Sequence, residues 1–356
     1  MPSRPDDFRV PRWYPATLVT IAASALLLPS LTLAEEETPT TKRVKLATLA
    51  PKGTSFHHIL LVMGEEWRQA PGGGVALTVY TDGTMGSEAD MVRRMRVGQI
   101  QAALLTVTGL TEIDDSVAAL QNMPMMFRSL DEVVFVREKL RGGLEQRFRE
   151  KGFIVLFWGD AGWVHFFSHE RALLPDDYKK MKMFALAGDT KTHDLWKAAG
   201  YQPVPLEVND ILTGLQTGLI DTVCTTPSYA LSGQFYTIVP HMLALRWAPL
   251  VGGTVVTKKA WDGLAPETQQ AVMKAAAEAG VQMQARLRDE NAESIEAMKK
   301  RGLIVHTVTP EVEEVWRRAA EKVYPKIRGS VVPAQMFDEV QELLRQYRSS
   351  NEQKTP

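Results

Sequence analysis

The sequence predicts an α/β protein made of two similar lobes joined by one long helix. Three observations predict it. Strand-like apolar runs alternate with helical periodicity along most of the chain, the pattern of sheets flanked by helices and largely parallel. From Pro266 to Arg301 no further proline interrupts the chain and Gly280 is the single glycine, while Val272, Ala276, Ala279, Met283 and Leu287 recur every three or four residues, continued by Ile295 and Met298. That is one apolar stripe on a helix about 50 Å long, more than one small domain needs. Lastly, Arg96-Val97-Gly98-Gln99-Ile100-Gln101-Ala102 is echoed 120 residues later by Gln216-Thr217-Gly218-Leu219-Ile220-Asp221-Thr222. In both, a glycine closes a helix and an isoleucine opens a strand. Two such lobes face each other across a cleft at the ends of their strands.

The elements follow in order. Arg4, Arg9 and Arg12 precede an uncharged stretch from Trp13 to Ala34 with an apolar centre, Pro29 and a Thr32-Leu33-Ala34 site. This is the layout of a cleaved secretory signal over residues 1–34. Val44 to Leu49 reads as a strand, Phe56 to Gln69 as a helix, Val75 to Tyr80 as a strand, Glu88 to Val97 as a helix and Ala102 to Val107 as a strand. Leu130 to Lys151 is helical, and Phe153 to Trp158 and Trp163 to Ser168 read as two strands. Thr192 to Ala199 is helical, Pro203 to Leu206 extended, Asn209 to Thr217 helical, and a strand starts at Asp221. The expected division is 42–161 plus about 251–285 for the first lobe, 162–250 plus about 286–348 for the second, and a tail over 349–356.

The chain has 356 residues, 45% of them apolar and 23% charged, enough for a large core without disulfides or metal. A net charge of −1 gives no basic excess for nucleic acid. The single cysteine, Cys224, excludes a disulfide framework and reads as a buried, inert thiol. No GxSxG, HExxH, Walker A or GxGxxG pattern occurs. Gly72-Gly73-Gly74 reads as a turn. His165 and His169 lie on a strand, where four positions span ~13 Å, too far apart to share a metal. His57 and His58 point about 100° apart on a helix, so one is buried and one exposed. Asp114-Asp115 and Asp176-Asp177 read as turn and cap residues. No catalytic set, metal site or cofactor is expected.

Several ordered pieces carry a resemblance. They are Leu46-Ala47-Thr48 with Gly53-Thr54, Met85-Gly86-Ser87-Glu88, Val97-Gly98-Gln99-Ile100-Gln101, Met123-Pro124-Met125-Met126-Phe127, Pro175-Asp176-Asp177-Tyr178-Lys179, Leu215-Gln216-Thr217-Gly218-Leu219-Ile220-Asp221 and the long helix. With them the chain resembles, over about Val44 to Arg345, the DctP-like solute-binding subunits of TRAP (tripartite ATP-independent periplasmic) transporters. The resemblance implies a two-lobed periplasmic binding protein fold, with the long helix spanning both lobes. It also implies a location in the periplasm, capture of a small ligand by hinge closure, and delivery to TRAP membrane subunits. Members of that family usually hold an organic acid with an arginine in a Lys-x-Arg-x strand, often with a second in a Gly-x-Arg segment. The matching segments here are Lys182-Met183-Phe184-Ala185 and Gly162-Trp163-Val164, so Phe184 and Val164 stand where arginines are expected.

Trp158, Trp163, Phe166, Phe167, Phe184 and Trp247 make this region aromatic. Phe166 and Trp158 are expected in the core. Phe184, Trp163, Val164 and Trp247 are expected to line the pocket, with Met125 and Met126 adapting its wall. Thr106, Thr108, Thr225, Thr226 and Tyr229 follow the strand ends and offer neutral hydrogen bonds. Lys52 or Arg246 would supply a displaced positive charge and Asp160 a negative one. The expected ligand is therefore apolar or amphipathic, in place of a small dicarboxylate. Two alternatives remain at this level: a periplasmic carrier relaying a lipid-like ligand to a helical-repeat protein, and an exported enzyme on the same scaffold.

Overall fold

The computed structural model describes residues 41–352. The expected signal segment, 1–34, lies outside the described residues. The chain opens with β1 (Lys42–Thr48), α1 (Ser55–Arg68), β2 (Val75–Tyr80), α2 (Glu88–Arg96), β3 (Ala102–Thr106), α3 (Val107–Thr111) and α4 (Leu130–Glu150). Glycines reverse the chain after α2 and after the helix Ile211–Gln216, at Gly98 (φ +76°) and Gly218 (φ +67°), a conformation that costs glycine little. Ser87 and Asp90 form a reciprocal capping box at the start of α2, each side chain accepting the other's backbone N–H at 3.2 Å.

The middle comprises β4 (Phe153–Ser168), α5 (Pro175–Tyr178), β5 (Lys182–Leu186), α6 (Thr190–Ala198), β6 (Gln202–Leu206), α7 (Ile211–Gln216), β7 (Thr222–Thr225), α8 (Pro227–Ser232) and β8 (His241–Thr257). The end comprises α9 (Lys258–Asp262), α10 (Pro266–Lys299), β9 (Ile304–His306), α11 (Pro310–Ile327) and α12 (Ala334–Glu352). The strands order as β2-β1-β3-β8-β4-β7-β5-β6, with β9 beside β8. Pairing is parallel in the outer sets, β2-β1-β3 and β7-β5-β6, and antiparallel at β3-β8, β8-β4 and β4-β7. The expectation of largely parallel sheets thus holds only away from the centre.

The expected pair of strands, 153–158 and 163–168, is one strand of 16 residues. Its first half pairs with the end of β8 (Phe153 with Thr257) and its second half with the beginning (Ser168 with His241). Register shifts at Asp160–Trp163 and Val164–Phe166 bend the ribbon where it passes from one lobe to the other. Two long strands therefore run through both lobes, and each lobe adds its own parallel strands at opposite ends.

Helix α10 closes the back of this ribbon. Val272, Ala275, Ala276, Ala279, Met283 and Leu287 pack in the first-lobe core with Leu46, Leu60 and Leu156. Met298 packs in the second-lobe core with Phe167, Val223 and Met242. At the crossing, Asn291 donates to Ala161 O (2.8 Å) and accepts from Ser228 N (3.1 Å). Gly162 (φ +90°) sits against this clasp; a Cβ there would lie 2.6 Å from Asn291 Nδ2. Gly280 lets α10 approach β4, since its Cβ would lie 2.8 Å from that of Phe157.

The C-terminus departs from the expected division. Met336, Phe337, Val340 and Leu344 of α12 share a core with Val133, Val136 and Leu140 of α4, so this helix packs on the first lobe. Residues 349–352 continue α12 rather than starting a tail. Helix α11 bridges: Trp316 and Ala320 pack with Phe166 and Tyr178, and Tyr324 Oη donates to Pro124 O at 2.7 Å.

Candidate functional site

A cavity of about 890 Å³ lies where the ends of β3, β5 and β7 converge on the bend of β4 and β8. Thr106 and Thr108 reach it from β3 and α3, and Thr225, Thr226 and Tyr229 from β7 and α8. Val164, Phe184 and Trp247 complete the expected residues that line it. Phe184 takes its place because β5 alternates: Met183 packs with Phe166 and Tyr178 on one face, and Phe184 on the other is partly buried against the second-lobe core while also lining the cavity.

Three residues expected on the wall are elsewhere. Trp163 packs against the first-lobe core, because the bulge before it turns its ring away. Met125 adopts a left-handed backbone (φ +55°), its N–H donates to Trp247 O at 2.7 Å, and its side chain is buried beside Phe166 and Trp316. Met126 is also core. Phe166 and Phe167 are fully buried, and Trp158 is buried with its indole N–H donating to Glu145 at 3.2 Å, as core residues should be. Lys52 and Arg246 are exposed and absent from the wall, so neither supplies the displaced charge.

The first-lobe wall is organised by Glu88, which the sequence presents only as a first-turn acid. Its buried carboxylate accepts from Thr106 N (2.6 Å), Thr106 Oγ1 (2.6 Å) and Gly109 N (2.9 Å). Burial pushes its pKa above the ordinary value, against the pull of those donors. Gly109 is required: a Cβ there would sit 2.7 Å from Glu88 Cβ. Asp189 caps α6 by accepting from Thr192 N (3.0 Å), and its other oxygen lies 3.4 Å from the Thr108 hydroxyl.

The second-lobe wall is aromatic. Trp196 of α6 stacks on Trp247 with ring centroids 5.4 Å apart, and Trp247 meets Phe166 edge-on at 5.6 Å. Cys224 also lines the cavity; its Sγ is 3.4 Å from Met183 Sδ, and burial pushes the thiol's pKa up, which keeps it protonated.

Asp160 sits at the bend with its side chain fully buried and 3.9 Å from Arg137 Nη1, and burial raises its pKa. The arginine or lysine side chains on the cavity wall are Lys179, Arg318, Lys322 and Lys326, all at the α5–α11 end. None of them comes from β4 or β5, which contribute Val164 and Phe184. His165 is lowered to about 4 by burial, so it is neutral near pH 7. Among the described residues no group of three or more His, Cys, Asp or Glu is placed to hold a metal ion, and no helix is long and apolar enough to cross a membrane.

The model for bacterial extracellular solute-binding protein, family 7 (DctP), matches residues 46–330. A solute-binding protein of Roseobacter denitrificans is 26% identical over 266 residues, covering 74% of this chain and 79% of that one. The C4-dicarboxylate-binding periplasmic protein DctP of Rhodobacter capsulatus is 21% identical over 257 residues, covering 72% and 77%. In fold, a TRAP periplasmic solute-binding protein from Shewanella oneidensis, solved with bound succinate, superposes with a TM-score of 0.79 at 17% identity, covering 86% of this chain and all (100%) of that one. Another from Roseobacter denitrificans, solved with bound L-galactonate, gives 0.77 at 22% identity, covering 85% and 99%. With the family model spanning most of the chain, and its two-lobed fold shared by these relatives, this protein belongs to the DctP family of extracellular solute-binding proteins, the solute-binding subunits of TRAP transporters.

Proposed function

We propose that this protein works in the periplasm as the capture subunit of a TRAP importer for a ligand with a large apolar body. Its lobes close over that ligand and pass it, chemically unchanged, to the membrane subunits. The observation that carries the ligand class is the cavity of about 890 Å³, lined by Phe184, Val164, Trp196 and Trp247, with Arg318 of α11 as its one arginine among the described residues. A carboxylate buried against those four side chains would lack a charged partner, at a cost of several kcal/mol. Each aromatic face it touched would contribute to apolar contact instead, on the order of 1.5–3 kcal/mol per buried ring. Relatives of the same fold were solved with bound succinate, galacturonate and galactonate; Phe184 and Val164, in place of the arginines that the resemblance implies, support a different ligand here.

Capture itself is a shift between open and closed arrangements of the two lobes about the bend in β4 and β8. Calorimetry tests the ligand class. Galacturonate and succinate are expected to give no binding at millimolar concentration, while decanoate binds in the micromolar range. Micromolar succinate binding together with no uptake of decanoate would overturn the reading.

A further inference from the structure

We infer that the α11 end of the cavity is a head-group site for an anion, so that the ligand is an amphiphile lying with its charged head at α11 and its apolar body toward Phe184. This rests on the apolar-body reading above and adds an orientation and a charge to it. Arg318, Lys322 and Lys326 are spaced four apart on α11, which puts them on one face of the helix. All line the cavity, as does Lys179.

They differ in how free they are. Arg318 Nε is 2.8 Å from Glu314, and Lys179 Nζ is 2.8 Å from Asp176. The ammonium groups of Lys322 and Lys326 enter no ion pair or hydrogen bond among the described residues, although Lys322 lies near enough to Asp176 to influence its titration. The cavity wall therefore carries two uncommitted positive charges, both at this end.

The apolar lining also reaches the same rim. Val315 is 44% and Leu174 40% exposed, and both line the cavity. Large apolar side chains left in water beside free lysines form a surface matched to the junction of a charged head and a hydrocarbon body. Of the five carboxylates on the wall among the described residues, Asp176 lies at this end and is paired with Lys179, while Glu88, Asp160, Asp189 and Glu290 belong to other elements. The uncommitted cations are thus confined to the α11 end while most of the wall carboxylates lie on other elements, which favours an anionic amphiphile with its head at α11.

The test uses the mature chain freed of copurified ligand by solvent extraction. Decanoate and decanol are titrated by calorimetry at low and high salt. Decanoate is expected to bind at least about tenfold tighter than decanol at low ionic strength, with the gap closing in high salt. In the K322E/K326E variant the gap should close or invert, while decanol affinity stays as in the parent; that unchanged affinity also reports an intact fold. Equal affinity for the two probes in the parent, or a gap that survives in K322E/K326E, overturns the head-group site while leaving the apolar cleft standing. If neither probe binds, both readings fall.

Discussion

On the first-lobe wall of the cleft Glu88, Thr106 and Gly109 satisfy one another inside the protein. The buried Glu88 carboxylate takes three donors, from Thr106 N, Thr106 Oγ1 and Gly109 N. On the second-lobe wall Phe184, Trp196 and Trp247 present rings, whose only specificity is shape. One wall is tied together by the hydrogen bonds around Glu88; the other offers area to whatever is captured. Stability should therefore respond to changes in the first wall, and affinity to changes in the second.

The largest effect should come from removing the organiser of the first wall. Glu88→Ala strands two buried backbone N–H groups and a hydroxyl, and is expected to cost about 3 kcal/mol or more in urea denaturation. A loss below about 1 kcal/mol would mean that this wall is soft and the contrast false. Next, Phe184→Ala should weaken decanoate by about 1.5–3 kcal/mol, roughly ten- to a hundredfold, with a much smaller change in the urea midpoint. Phe184→Arg sharpens the same comparison. It places a guanidinium on the cavity wall, and galacturonate or succinate binding should appear as decanoate binding falls.

Thr225→Val, which deletes one hydroxyl at the second wall, should change affinity by no more than about 1 kcal/mol, read by calorimetry. The smallest effect is a slope. Burial raises the Glu88 pKa on folding, so between its unfolded and folded values the native state holds a proton that the unfolded chain releases. Stability from this group is present below the unfolded value and is lost as pH rises through the folded one. The stability of the parent relative to Glu88→Gln should accordingly fall with rising pH above the ordinary glutamate range. A difference that stays flat with pH would show the Glu88 carboxyl to be unperturbed.

Much of the fold was legible because its signals are local. The stripe from Val272 to Met298 needs only helical spacing, and Gly98 and Gly218 mark turns that other residues adopt at a cost. The strand β8 was not legible, since Pro249 and Gly252-Gly253 punctuate it like a loop. Pro249 falls at the bend opposite Trp163, and Gly252 is there because a Cβ would meet Leu105 O at 2.5 Å. Those reasons are tertiary and leave no mark in the local pattern.

The site divides in the same way. Thr106 and Thr225 follow from strand ends, and Phe184 from its place in the segment that matches the family's Lys-x-Arg-x strand. Glu88 reads as an ordinary helix-start acid, Trp196 as one apolar residue of a short helix, and the lysines of α11 as a solvated face. Each acquires its place only when distant elements meet. Met125 misleads for the complementary reason: its positive φ, invisible in sequence, turns its side chain from the wall into the core.

The most direct measurement is the mass of what the protein carries when purified from its own periplasm. Protein unfolded in organic solvent should release an anionic molecule that partitions into the organic phase at acid pH, and the Phe184→Arg variant should release little of it. Release of a sugar acid or a C4-dicarboxylate from the unmodified protein would contradict the account.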